Sequence, residues 1–99
     1  MIFRLEVKPD AREELAIAAI YYESLSEGLG IKFLDAWEVT AAIIQKNPLG
    51  FAVRKRNFRQ ALLRKFPYLV IFEVLENTVV VYGIIRAMKH PSKRYKKRN

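Results

Sequence analysis

There is no cysteine among the 99 residues, and histidine occurs once, at His90. Thiolate nucleophiles and disulfide staples are therefore excluded, and His/Cys zinc sites have no ligand set. A Ser-His-Asp triad finds Ser92 near His90 in a segment crowded with cations, but the last acid in the sequence is Glu76, so nucleophilic hydrolysis has no support. Glycine is scarce as well. Gly28 and Gly30 bracket Leu29 without the GxGxxG spacing or the trailing Lys-Ser/Thr of a phosphate loop. No apolar run approaches the roughly 20 residues that span a bilayer. The start, "MIFRLEVKPD", has neither a long apolar region nor a small-residue cleavage site. The expectation is a cytoplasmic protein with no membrane contact, metal or cofactor.

Acidic residues are scarce in the second half only. Residues 1–50 hold 5 Lys/Arg against 8 Asp/Glu, a net −3, whereas residues 51–99 hold 13 against 2, a net +11. Such asymmetry points to nucleic acid, an acidic protein partner, or both. Hydrophobic residues make up 52% of the chain, enough for a packed core, and the length allows a single domain, 1–99. Only the basic C-terminal segment, 86–99, looks separable.

"MIFRLEVKP" alternates apolar and polar residues as a half-buried strand does, and Pro9 stops it. Asp10 is placed as a helix N-cap with Glu13 three residues on. Leu15, Ala18, Ala19 and Tyr22 then follow helical spacing, and the Gly-Leu-Gly pair reverses the chain. A second helix, 31–46, carries Phe33, Trp37, Thr40 and Ile44 on one stripe and ends at "KNPLG". Beyond Val53 the pattern changes to strands. "RNFRQALLRKF" suits an edge or one exposed face, while "YLVIFEVLE" and "TVVVYGIIR" are apolar on both faces and meet at a hairpin near Asn77. The expected fold is α+β, β-α-α-β-β-β, a helical hairpin on one face of a small, mainly antiparallel sheet. That hairpin covers one face only. The other requires the C-terminal segment or another chain.

Glu13, Glu14, Glu23 and Glu27 fall on the solvated side of the first helix, so paired-carboxylate chemistry is not supported. Glu73, inside a central strand, needs a partner such as Arg64 or Arg86. Cations crowd the strand ends: Arg54, Lys55, Arg56 and Arg59 enter the first C-terminal strand, and Arg64 and Lys65 leave it. Arg86, Lys89, His90, Lys93 and Arg94 follow the last. Paired strands gather such groups at a sheet edge, where arginines clamp phosphates and Tyr95 can stack on a base or move a proton. The final Lys96–Arg98 suits a solvated electrostatic aid.

"ELAIAAIYYESLSEGLGIKFLDAW", "RQALLRKFPYLVIFEV" and "VVVYGIIRAMKHPSKRYKK" resemble the ParE/RelE superfamily of toxins from type II toxin–antitoxin modules, over almost the whole chain. The resemblance implies a cognate antitoxin that wraps the toxin, neutralises it and forms an oligomer with it. RelE-like members cut mRNA on the ribosome. They use lysines on the strand before a tyrosine, an arginine just after it, and a C-terminal arginine and tyrosine. Here those strand positions are Gln60 and Leu62, the residue after Tyr68 is Leu69, and the C-terminal counterparts are Lys89 and Tyr95. Most of that catalytic set is missing. The "FPY" entry and the "RAMKHPSK" tail are closer to the ParE (plasmid stabilisation) branch, whose members poison DNA gyrase and are not enzymes. Expected target or nucleic-acid contacts are Arg59, Arg64, Arg86, Lys89, His90, Lys93 and Arg94. Were the chain a nuclease, Arg86, Lys89 and Tyr95 would be its catalytic candidates.

Overall fold

The computed structural model describes residues 2–87. Strand β1 (Arg4–Val7) leads into helix α1 (Pro9–Leu25), helix α2 (Leu29–Lys46) and a 3-10 turn (Pro48–Gly50). Four strands follow: β2 (Val53–Lys55), β3 (Phe58–Leu62), β4 (Tyr68–Leu75) and β5 (Thr78–Arg86). The sheet order is β1-β5-β4-β3-β2. β1 runs parallel to β5, and the other pairs are antiparallel. The expected α+β architecture is present, with one strand more than the periodicity indicated. The run read as a strand from Arg56 opens in a turn, with Arg56 in the left-handed region (φ 55°), and continues as β3; the added strand, β2, precedes it as the other arm of a hairpin and takes the sheet edge expected for that run.

Pro9 begins α1 instead of merely ending β1. Its missing N–H falls where the helix has no acceptor to offer, so proline is favoured at this first position. Lys8 is consequently the N-cap, in extended conformation, and Asp10 lies inside the first turn. Its carboxylate there still favours the positive end of the helix dipole.

The turn between the helices depends on both glycines. Gly28 caps α2 at φ 85°, a conformation that costs a side-chain-bearing residue about 1–2 kcal/mol. Gly30 is already helical. A Cβ there would sit 2.6 Å from the Ala19 backbone oxygen, so glycine sets how closely α1 and α2 pack. Glu23 completes the turn: its carboxylate accepts the N–H groups of Gly28 (3.0 Å) and Gly30 (2.9 Å). These hydrogen bonds hold its pKa below the ordinary carboxylate value. The residue expected on a solvated face is the side-chain cap of α2.

Both helices pack on one face of the sheet. The expected stripes are buried there, Leu15, Ala18 and Tyr22 from α1 and Phe33, Trp37 and Ile44 from α2, against Val70, Phe72, Val79, Val81 and Ile84. The opposite face carries Phe58, Leu69, Ile71, Val80, Tyr82 and Ile85, all buried, with Ala87 packed beside them. β5 changes parity between these sets because its register with β4 slips by one residue: Ile71 pairs Gly83 while Phe72 pairs Val81. Tyr82 is the inserted residue of a β-bulge, which turns Ile84 instead of Gly83 toward the helices. Whether the C-terminal segment or another chain covers this second face lies outside the described residues.

Candidate functional site

β3 and β4 are joined by a tight turn. Leu63 N–H donates to the Tyr68 carbonyl (2.9 Å) and Tyr68 N–H to the Phe66 carbonyl (2.8 Å), with Lys65 in the left-handed region at φ 67°. Closing the loop this way leaves Arg64 and Lys65 exposed at its tip. β5 ends beside it: Arg86 pairs with Tyr68 in the register, and Ala87 N–H donates to the Pro67 carbonyl (2.8 Å). The Arg86 guanidinium lies over the Tyr68 ring, 5.7 Å from its centroid, a cation–π contact worth about 0.5–1 kcal/mol at an exposed position. Arg64, Lys65 and Arg86 thus occupy one end of the sheet, and residues 88–99 continue from it in sequence.

Behind these cations lies an aromatic wall. Tyr22, Phe33, Phe66 and Tyr68 meet with ring centroids 4.8–6.1 Å apart. Burial, followed by the neighbouring Tyr68 phenol, raises the pKa of Tyr22. Tyr22 therefore stays a neutral phenol at physiological pH and is a poor proton acceptor there. Two openings flank the wall. One, of about 720 Å³, runs between Leu29, Lys32 and Val39 of α2 and the Arg64–Pro67 turn. The other, of about 320 Å³, lies between Ile17 and Tyr21 of α1 and Ile84 and Arg86 of β5. At its wall the Glu14 carboxylate accepts the Ile84 N–H (2.8 Å). β1 ends opposite Val81, and this contact ties α1 to β5 beyond that point.

Arg59 is placed differently. Its guanidinium donates to the Phe51 carbonyl at 2.5 Å and more loosely to that of Leu49, fastening β3 to the 3-10 turn. Glu73, buried at the centre of the second face, accepts a hydrogen bond from the Tyr82 hydroxyl (3.0 Å). The Arg86 guanidinium lies over the Tyr68 ring instead. Burial, with Glu73 adding to it, pushes the Tyr82 phenol up to about 12. Gln60 is half-buried on β3, Leu62 is exposed, and Leu69 is buried within the second-face cluster. Lys89, His90, Lys93, Arg94 and Tyr95 lie outside the described residues. Among the described residues no group of His, Cys, Asp and Glu side chains is arranged to hold a metal ion, and no helix is long and apolar enough to cross a membrane.

The fold of this chain, a helical hairpin on one face of a five-stranded sheet, is shared with two solved structures. A chain of the chromosomal ParDE TA system from P. aeruginosa superposes with a TM-score of 0.73 at 19% identity, covering 86% of this chain and 96% of that one. The E. coli toxin RelE, as a mutant in the free state, superposes with a TM-score of 0.59 at 14% identity, covering 89% of this chain and 86% of that one. No protein-family model matches the sequence, and no curated protein sequence matches it.

Proposed function

We propose that this chain is the toxin of a type II toxin–antitoxin module, held inactive by a cognate antitoxin, and that its target is DNA gyrase. The observation that carries the choice of target is what occupies the strand positions where the RelE-like resemblance implies catalytic cations. Gln60 and Leu62 stand on β3, and Leu69 is buried in the sheet. Positioned charge supplies most of the benefit in phosphodiester cleavage, so a buried leucine there removes a transition-state contact that distant cations do not replace. Without that set, the exposed Arg64, Lys65 and Arg86 serve as protein- or DNA-contacting groups.

The helices supply the support for an antitoxin. Ile17, Ile20, Tyr21 and Leu25 on α1, and Ile31, Val39 and Ile43 on α2, are large apolar side chains left exposed. The α1 set recurs at helical spacing beside the buried stripe. An amphipathic antitoxin segment with acidic flanks would cover this surface and reach the cationic end of the sheet.

RNA 5′-end mapping minutes after the chain is induced alone in a growing bacterium tests the reading. Messages are expected to stay intact while division stops, and co-expression of the antitoxin should restore growth. Fresh ends inside translated codons would instead make the chain a ribosome-dependent endoribonuclease with Arg86, Lys89 and Tyr95 as its catalytic candidates. Normal growth with verified soluble chain would reduce it to a non-toxic antitoxin-binding relic.

A further inference from the structure

A second cationic group stands at the opposite end of the sheet from Arg64 and Arg86. β2 is a three-residue edge strand, and it joins β3 through a tight turn at Arg56 and Asn57. Arg54, Lys55 and Arg56 are consecutive and exposed, and among the described residues their side chains make no hydrogen bond or ion pair, β2 being held to β3 through its backbone. Arg59, three residues on, is occupied by main-chain carbonyls. The hairpin therefore carries three consecutive exposed positive charges on a two-stranded ribbon. Its root is fixed by Phe58, which is buried against Tyr82 with ring centroids 5.6 Å apart.

The turn chemistry makes this placement more telling. Arg56 adopts φ 55°, where glycine or asparagine would be favoured and another residue costs about 1–2 kcal/mol. Glu76 adopts the same conformation in the β4–β5 turn, so the backbone tolerates side chains there. At the β2–β3 turn, however, the strained position extends a run of cations that already repel one another.

We infer that the β2–β3 hairpin is a contact site for the phosphate backbone of nucleic acid, separate from the Arg64–Arg86 end. Arg56 and Arg64 flank β3 at a separation of at most about 27 Å, taking eight residues at about 3.4 Å each. One nucleic-acid strand following the β2–β3 edge can therefore meet both groups. These cations are available to a phosphate backbone whichever target the chain acts on. Binding of nucleic acid by the purified chain is independent of gyrase inhibition.

The test is fluorescence anisotropy with the full chain, using a short labelled duplex DNA and a single-stranded RNA of equal length, between about 50 and 200 mM salt. The variant is Arg54→Gln/Lys55→Gln/Arg56→Asn, in which asparagine suits the turn and a matching thermal melt confirms folding. Each phosphate contact contributes about 0.9 to the salt slope on duplex and about 0.7 on single strands. The slope should therefore fall by roughly 2–3 in the variant, with affinity reduced by at least about tenfold near 100 mM salt. Loss on duplex alone identifies duplex DNA as the source of the phosphates. Loss on RNA alone, or on both probes, identifies single-stranded or general backbone contact. An unchanged slope, no binding of either probe by the unaltered chain, or equal affinity for polyglutamate would overturn the inference.

Discussion

Replacing Gly30 by alanine sets two known effects against each other at one position. Alanine is favoured over glycine inside a helix by about 1 kcal/mol, so propensity alone predicts a more stable protein. The added Cβ would lie 2.6 Å from the Ala19 backbone oxygen, 3.0 Å from the Glu23 carboxylate and 3.1 Å from Glu23 Cβ. An ordinary C···O approach is about 3.3 Å, so α1 and α2 must separate by roughly 0.7 Å. The oxygen belongs to a backbone held by its own helix and cannot swing aside. Overpacking of this kind costs about 1–3 kcal/mol, and the shift also stretches the hydrogen bond from Gly30 N–H to Glu23. Set against the propensity gain of about 1 kcal/mol, the clash leaves Gly30→Ala destabilised by up to about 2 kcal/mol net, lowering Tm at about 4–8 °C per kcal/mol for a domain of this size. Urea titration and thermal melts followed by circular dichroism measure it. Gly28→Ala is the comparison, since no atom lies within 4 Å of a Cβ there and only its φ of 85° penalises alanine. Gly28→Asn should recover part of that loss, whereas no polar replacement should help at Gly30. A Tm for Gly30→Ala equal to or above that of the unaltered chain would refute the close helix approach.

Two predictions concern pH. The folded-state pKa of Glu23 is depressed, so its stabilisation is present at neutral pH and lost as pH falls through the carboxylate range. Glu23→Gln should lower Tm at pH 7 and flatten the acid limb of the stability profile. An unchanged acid limb would mean that the carboxylate does not cap α2 in solution. The Tyr82 phenol is raised from 10 to about 12, so its contribution is intact below pH 10 and lost between about 10 and 12. Ultraviolet titration should show a late-ionising tyrosine that is missing in Tyr82→Phe, and the variant should lose less stability than the unaltered chain over that interval. A variant profile superimposable on the original would contradict the buried Tyr82–Glu73 hydrogen bond.

The helices were legible in the sequence because their burial follows the 3.6-residue period. Phe33, Trp37, Thr40 and Ile44 were expected on one stripe and are buried on it. β4 was equally plain. Its neighbour β5 was legible in extent, Thr78–Arg86, but not in which residues face the helices: strict alternation places Gly83 with Val79 and Val81, and only the bulge at Tyr82 substitutes Ile84. Bulges arise from the pairing of two strands and leave little trace in one of them. β2 was hidden for another reason: its three residues are exposed, and without a buried face a strand has no alternation to display. Gly30 looked like part of a helix stop, yet its cause is a contact with Ala19, which no local window contains.

The candidate site was legible as charge but not as geometry. The cations near the strands were all visible in the sequence. Turn conformation sends Arg54–Arg56 to one end of the sheet and Arg64–Lys65 to the other, while Arg59 is tied to carbonyls between them. Glu23 and Glu14 were missed because each accepts a backbone N–H outside its own helix, that of Gly30 across the interhelical turn and that of Ile84 on β5. A glutamate on a helix surface gives no sign of which unpaired amide it will reach.

The central claim is tested most directly by adding the purified chain to DNA gyrase and relaxed plasmid and resolving the products after denaturing the protein. Gyrase poisoning predicts loss of supercoiling and accumulation of linear plasmid, both reversed by the antitoxin. Arg64→Glu/Arg86→Glu should weaken the effect at least about tenfold, while the chain stays folded. Normal supercoiling with no linear product, at a molar excess of chain over gyrase, would contradict the account.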